Sequence, residues 1–282
     1  MDLILQGLTT QRSTIEQIAG LARSRVVVAV GEHAYRCEGI SYNDEVKAQI
    51  DVAAWAAQLD YAFIERGRSL GDFKLLVMDM DSTLITIECI DEIADMQGLK
   101  PQVAAITEAA MRGEIEFRES LMRRVALLEG LDANALQRVY DERLQLSPGA
   151  ERMLAAVKAA GMKTLLVSGG FTFFTDRMQQ RLGLDYTHSN RLEIVDGKLT
   201  GKLTGDIVDA DEKKRTVERV CAEMGIQPAQ AIVMGDGAND LKMMGIAGLS
   251  VAFRAKPVVR QQADVTLNFV GLDGLLQLLD KR

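Results

Sequence analysis

The stretch Lys74-Leu-Leu-Val-Met-Asp79-Met-Asp81-Ser-Thr83-Leu-Ile85 contains the clearest fold signal of the chain: a short apolar run ends abruptly at two carboxylates. Continuous apolar runs of this kind are typical of strands buried in a parallel sheet. In open α/β sheets, ligands bind at the carboxyl ends of such strands. We therefore expect Asp79 and Asp81 at the mouth of a sheet, where a cation or a shared proton must offset their repulsion.

The composition is that of an ordinary globular protein. The chain has 282 residues, of which 48% are hydrophobic and 26% charged, with a formal net charge of −7. This charge argues against nucleic acid as a partner. No apolar run approaches the ~20 residues needed to cross a bilayer, so no membrane partner is expected. Three widely spaced cysteines predict neither disulfides nor a zinc site, and we expect a cytoplasmic location.

The first 71 residues predict a small α+β domain of the order βαββαβ, which is that of a ferredoxin-like unit. Thr9, Thr10 or Ser13 is expected to cap its first helix. The polar segment 66–72 is the predicted linker, because it carries glycine and charged residues. This domain shows no catalytic motif, and a structural or dimerising role is at least as well supported as ligand sensing.

Residues 72–282 predict an α/β domain with a doubly wound parallel sheet, because strands alternate with helices after residue 147. Between about residues 87 and 146 the pattern is helical throughout. Four helices are too many for one crossover, so this segment is predicted to be an inserted helical cap over the strand ends, where it would exclude water from a reaction. The segment 187–203 is predicted to be a hairpin that turns at Asp196-Gly197.

Distinctive residues follow three predicted strands of this domain. They are Asp79-Met-Asp81, Ser168-Gly169-Gly170 and Gly235-Asp236-Gly237-Ala-Asn239-Asp240, and Lys213 lies near the start of a helix between the last two. Each motif alone is as compatible with an ordinary turn as with a functional site. Lys213 alone is compatible with a solvated helix face. In this order they form a set suited to phosphoryl transfer.

The residue types suggest how such a set would divide its work. Asp79 and Asp236 can share a hard divalent cation such as Mg²⁺. Asp79 can then attack phosphorus, while Asp81 moves protons to the leaving oxygen and from water. Ser168, backbone N–H groups and Lys213 can hold the phosphoryl oxygens.

These motifs resemble the haloacid dehalogenase superfamily of phosphotransferases, and within it the phosphoserine phosphatases. The resemblance covers roughly residues 72–282. It includes the segment from Asp79 to Ala94, the cap segment from Met111 to Leu128, Val167-Ser-Gly-Gly-Phe-Thr172 and Gly235-Asp-Gly-Ala-Asn-Asp240. It implies Mg²⁺-dependent hydrolysis of O-phospho-L-serine through an aspartyl-phosphate, the last step of L-serine biosynthesis.

The resemblance also implies residue roles. Asp79 is the nucleophile and Asp81 the general acid/base, and Mg²⁺ is held by the Asp79 and Asp236 carboxylates and the Asp81 carbonyl. Substrate binding is implied for Ser168, Gly169, Lys213 and Asn239 at the phosphate, Glu88 at the ammonium, Arg124 at the carboxylate, and Met111 and Phe117 at the pocket wall. The N-terminal domain is similar to ACT domains, and a homodimer through that domain stays open beside ligand sensing.

Two alternatives stay open on the sequence. The same chemistry could serve a different small phosphomonoester, or transfer phosphate to another hydroxyl. A non-enzymatic alternative is a receiver-like switch in which a phosphorylated Asp79 persists. Asp81 argues against the switch, because an acid/base two residues away would speed turnover.

Overall fold

The computed structural model describes residues 1–112 and 114–280 of the chain. They form two compact units. The first comprises Met1–Leu76, Ser147–Lys163 and the chain from Ile226 onward, and the second comprises Val77–Leu146 and Thr164–Gly225. In the described part of the chain, no helix is long and apolar enough to span a bilayer.

The N-terminal residues form a four-stranded antiparallel sheet with the strand order β2-β3-β1-β4. Its elements follow the predicted βαββαβ order: β1 (Asp2–Gln6), α1 (Arg12–Leu21), β2 (Val26–Gly31), β3 (Ala34–Glu38), α2 (Asp44–Ala56) and β4 (Asp60–Ile64). Leu3, Ile15 and Ile50 belong to one buried cluster, so both helices pack on one face of the sheet.

The predicted cap of α1 is wrong. Gln11 occupies the N-cap position and makes no side-chain hydrogen bond there, so Thr9, Thr10 and Ser13 do not cap the helix. The helix is held instead by its buried apolar residues Ile15, Ile18 and Ala19. By contrast, α2 begins at a side-chain cap, because Asn43 Oδ1 accepts the Val46 N–H at 2.8 Å.

The N-terminal sheet is tied to residues near the C-terminus within the first unit. The buried Asp60 carboxylate accepts hydrogen bonds from the backbone N–H groups of Asn268 at 2.7 Å, Phe269 at 3.0 Å and Val270 at 3.0 Å. Burial raises the pKa of Asp60, although these hydrogen bonds oppose the shift. The predicted boundary between residues 71 and 72 stays a prediction.

The second sheet has seven strands, in the order β11-β10-β9-β5-β6-β7-β8. Its strands are β5 (Leu75–Met78), β6 (Lys163–Phe171), β7 (Tyr186–Val195), β8 (Lys198–Thr204), β9 (Ala231–Gly235), β10 (Leu249–Phe253) and β11 (Val265–Leu267). β9, β10 and β11 are mutually parallel, as are β6 and β7. The pairing of β8 with β7 is antiparallel, and the two strands form the predicted hairpin around Asp196-Gly197.

The predicted α/β class with a mainly parallel sheet is therefore confirmed. One detail differs, because Ser168, Gly169 and Gly170 lie inside β6 rather than after it. The pairing of β6 with β7 shifts register between Ser168 and Phe171, so this glycine segment bulges from the ladder.

Four helices lie between β5 and the next α/β unit, as predicted. They are α3 (Cys89–Asp95), α4 (Lys100–Met111), α5 (Phe117–Ala126) and α6 (Asn134–Glu142). The remaining helices are α7 (Ala150–Ala159), α8 (Thr172–Leu182), α9 (Ala210–Met224), α10 (Leu241–Met244), α11 (Pro257–Gln262) and α12 (Leu275–Leu278).

Candidate active site

Asp79 lies directly after β5 and is 5% exposed. Its Oδ1 accepts the Met80 N–H at 2.7 Å and lies 2.9 Å from Nζ of Lys213, a residue with no solvent exposure. A carboxylate or an ammonium is costly to bury unless it is paired and hydrogen-bonded. The pair therefore keeps two buried charges in place, with the orientation of the Asp79 carboxylate fixed by two donors.

Asp81 has a different environment within the same turn. Its Oδ2 accepts the Cys89 N–H at 3.2 Å, while its buried Oδ1 has no hydrogen-bond partner among the described residues. Burial, followed by the negative charge of Glu88, raises the pKa of Asp81 to about 8. Both effects favour the protonated form of this carboxyl group.

The turn that follows Asp79 and contains Asp81 is locally strained. It spans Met80–Leu84, and within it Ser82 adopts the left-handed conformation with φ of 57°. Such a conformation costs a non-glycine residue on the order of 1 kcal/mol or more. The Ser82 hydroxyl donates to Glu88 Oε1 at 2.6 Å, so the turn also anchors Glu88, the N-cap residue of α3.

Arg124 projects from α5 into an acidic environment. Burial lowers the pKa of Arg124, while the charges of Asp91, Glu88 and Asp81, in that order, oppose the shift. Its Nε donates weakly to the Ser120 carbonyl at 3.4 Å. Among the described residues, no carboxylate lies within ion-pair distance of Arg124, so its guanidinium keeps donors for an incoming acceptor.

The glycine segment of β6 is built for close approach. Ser168 is 1% exposed, and its Oγ accepts the Gly170 N–H at 2.9 Å. A Cβ atom at Gly170 would lie 3.0 Å from Met80 Cε and 3.3 Å from Asp81 Oδ2, so a side chain would crowd the turn that carries the aspartates. At Gly169 a Cβ atom would meet the Phe117 ring at 3.5 Å, so Phe117 covers this segment.

Helix α9 presents Lys213 one turn after its N-cap residue, Asp209. The Asp209 Oδ1 accepts the Glu212 N–H at 2.9 Å. Its Oδ2 pairs with Arg118 of α5 at 2.6 Å. The start of α9 is therefore tied to the helix that carries Phe117 and Arg124.

Asp236 and Asn239 lie in the first unit, in the loop after β9. There the fully buried Asp240 accepts the N–H groups of Asp236 and Gly237, both at 3.1 Å. A Cβ atom at Gly235 would clash with the Asp240 carboxylate, and one at Gly237 would clash with Asn239 Oδ1. Side chains at these two positions would therefore displace Asp240 or Asn239.

The structure brings most of the predicted site residues together in the second unit: Asp79, Asp81, Glu88, Phe117, Arg124, Ser168, Gly169 and Lys213. Their roles stay predictions. The side chain of Met111 lies outside the described residues.

Sequence reasoning missed three residues that shape the site: Asn190, Asp209 and Asp240. An aspartate just before a helix is a recognisable cap, so Asp209 could have been found. Asp240 belongs to the glycine-rich motif 235–240, but the motif alone does not predict that Asp240 accepts backbone N–H groups. Asn190, inside a predicted hairpin, gave no signal.

The chain is similar to one protein family and to several known proteins. A model of the haloacid dehalogenase-like hydrolase family matches residues 76–245. A phosphoserine phosphatase from Polaromonas sp. is 60% identical over 215 residues, which cover 74% of this chain and 91% of that protein.

Two solved structures are similar to the chain. A crystal structure of a haloacid dehalogenase family hydrolase from Salmonella enterica serovar Typhi matches with a TM-score of 0.91 and 33% identity, and covers 100% of both chains. A phospho-aspartyl intermediate analogue of phosphoserine phosphatase matches with a TM-score of 0.70 and 37% identity, and covers 74% of this chain and 99% of that one.

Proposed function

Because the chain belongs to the haloacid dehalogenase-like hydrolases, we propose that it is a Mg²⁺-dependent phosphatase that hydrolyses O-phospho-L-serine to L-serine and phosphate. The single observation that carries the chemistry is the contrast between the two aspartates. Asp79 is ion-paired with the buried Lys213, whereas the pKa of Asp81 is raised to about 8. One group is suited to attack as a carboxylate and the other to donate a proton.

In the first step, an Asp79 carboxylate oxygen forms a bond to phosphorus while the bond from phosphorus to the serine oxygen breaks. Asp81 gives its proton to the departing serine oxygen and becomes a carboxylate. In the second step, Asp81 takes a proton from water, the water oxygen attacks phosphorus, and the bond to Asp79 breaks to release phosphate. Lys213 and the Ser168 hydroxyl hold phosphoryl oxygens as negative charge redistributes.

The substrate assignment rests on Glu88, Arg124 and the named relatives. O-Phosphoserine carries a carboxylate and an ammonium besides its phosphate. A guanidinium with uncommitted donors suits the carboxylate, and the anchored Glu88 supplies the charge for the ammonium. Phe117 would cover the phosphate-binding segment at Gly169.

A divalent cation fits the donor chemistry of the site. Asp79, Asp236 and Asp240 each offer carboxylate oxygens, and oxygen donors are those that Mg²⁺ prefers. We assign the Asp79 and Asp236 carboxylates and the Asp81 carbonyl as ligands, with Asn239 assisting nearby. When bound, the ion would neutralise charge on the transferring phosphoryl group.

The N-terminal domain is assigned as ACT-like on its βαββαβ order and its antiparallel sheet. A homodimer through this domain, a cytoplasmic location and the place of the reaction as the last step of L-serine biosynthesis stay predictions. The mass of the protein in solution tests the homodimer. The serine requirement of a deletion strain tests the place of the reaction in L-serine biosynthesis.

The test is phosphate release from O-phospho-L-serine with Mg²⁺ and with excess EDTA. We expect turnover that EDTA abolishes and that Asp79→Asn reduces by at least roughly 10³-fold, as for other lost nucleophiles. Asp176→Asn, an exposed aspartate on α8, is the matched control and should keep wild-type activity. Near-normal activity of Asp79→Asn would refute the mechanism, and equal turnover of sugar phosphates would refute the substrate.

A further inference from the structure

We propose that Asn190 is a positioning residue that aims the Ser168 hydroxyl at the phosphoryl group; this inference rests on the proposed function. Asn190 lies on β7 and is 2% exposed. Its Nδ2 donates to the Gly169 carbonyl at 2.8 Å, and its Oδ1 accepts the Val208 N–H at 2.9 Å. The Val208 N–H can only donate, so the amide has one possible orientation and its NH₂ group must face Gly169.

The Gly169 carbonyl belongs to the same peptide unit as the Gly170 N–H. A trans peptide is planar, so fixing the direction of its C=O also fixes the direction of its N–H. That N–H donates to Ser168 Oγ at 2.9 Å. Asn190 and the Ser168 hydroxyl are therefore hydrogen-bonded to the two ends of one rigid group, which lies in a segment made pliable by two glycines.

This arrangement determines what the Ser168 hydroxyl can do. A hydroxyl has one proton to donate and two lone pairs to accept with. The Gly170 N–H occupies a lone pair, so the hydroxyl proton points away from this N–H. Among the described residues, Ser168 Oγ makes no hydrogen bond besides that with the Gly170 N–H, so its proton has no acceptor there. Ser168 is nearly fully buried, and a buried donor requires an acceptor; a phosphoryl oxygen would supply it.

The same amide also connects to the second phosphate-binding group. Val208 immediately precedes Asp209, the N-cap of α9, and the Lys213 N–H bonds to the Asp209 carbonyl at 2.9 Å. One buried side chain therefore holds the Ser168 segment against the start of the helix that carries Lys213. No substrate contact is needed for this role, because Asn190 acts through the Ser168 segment and the start of α9.

The test is a double-mutant cycle with Ser168→Ala. Asn190→Asp keeps the shape and the acceptor for Val208 but replaces the donor with an oxygen that repels the Gly169 carbonyl. We expect kcat/KM for O-phosphoserine to fall on the order of tenfold to a hundredfold, as for small misplacements of catalytic groups. In the Ser168→Ala background the same substitution should cost less than about threefold, because the group that it positions is gone.

Stability provides the control readout. Thr164→Val removes the buried hydrogen bonds of Thr164 to Asp185 at the other end of β6; it should lower the melting temperature but leave kcat/KM within about twofold. If Asn190→Asp is insoluble, Asn190→Ser, which is too short to bridge Gly169 and Val208, replaces it. An equal loss of kcat/KM in both Ser168 backgrounds would overturn the inference. An inactive wild type would instead refute the proposed function.

Discussion

Replacing Arg124 by alanine should reduce the activity selectively for substrates that carry a carboxylate. In the free protein the Arg124 guanidinium makes only a 3.4 Å hydrogen bond to Ser120 and no described ion pair, so little folding energy is lost. Truncating one member of a desolvated charge pair costs about 2–5 kcal/mol. Arg124 is half-buried, so we take about 3 kcal/mol, which is a roughly 150-fold loss in kcat/KM.

The assay compares O-phosphoserine with phosphoethanolamine, which keeps the phosphate and the ammonium but lacks the carboxylate. Arg124→Ala should lose about 3 kcal/mol of transition-state stabilisation, measured from kcat/KM, with O-phosphoserine. With phosphoethanolamine the loss should be less than about 0.5 kcal/mol. Arg123→Ala is the matched control, because Arg123 is an exposed neighbour paired with Glu119 on the same helix. Equal losses on both substrates would show that Arg124 acts on the fold or the phosphate, and would refute the reasoning.

Three further substitutions probe the fold and the cap. Asp60→Asn leaves one backbone N–H group without an acceptor. It should lower the free energy of unfolding, measured in urea, by about 2 kcal/mol. Because the pKa of Asp60 is raised, the folded wild type keeps a proton that the unfolded chain releases as pH rises from about 4. The difference in unfolding free energy between the wild type and Asp60→Asn should therefore shrink as pH rises. A difference that stays constant with pH would contradict this. Ser82→Ala frees Glu88 and should raise KM roughly fivefold at unchanged kcat; a fall in kcat alone would contradict it. Arg118→Ala breaks a surface ion pair with Asp209 and should change the free energy of unfolding in urea by less than about 1 kcal/mol; a larger loss would contradict this.

Much of the site was predictable because it depends on local sequence. The apolar run before Asp79 gave β5 with the bounds Leu75–Met78, since a buried strand must be apolar on both faces. The helical periodicity between residues 87 and 146 predicted four helices, and four are present. Strand ends followed by carboxylates and glycines placed Asp79 and Ser168 near each other by topology alone.

The features that the sequence did not predict depend on contacts between residues far apart in the chain. Asn190 became a central residue only when β7 lay beside β6, because its two hydrogen-bond partners come from different segments. The predicted N-cap of α1 was wrong for a related reason. Several hydroxyl residues precede that helix, and the packing of its apolar face, rather than a side-chain hydrogen bond, determines where it begins.

The different chemistry of Asp79 and Asp81 follows from the same principle. Both residues leave the same strand, and their spacing predicts nothing about which is charged. Lys213, delivered by a distant helix, stabilises the charged form of Asp79. Asp81 instead faces burial and the adjacent charge of Glu88, which favour its protonated form. A substrate ammonium bound to Glu88 would offset that charge and so make Asp81 easier to ionise. Under the proposed function, Glu88 would therefore couple binding of the substrate ammonium to proton transfer at Asp81.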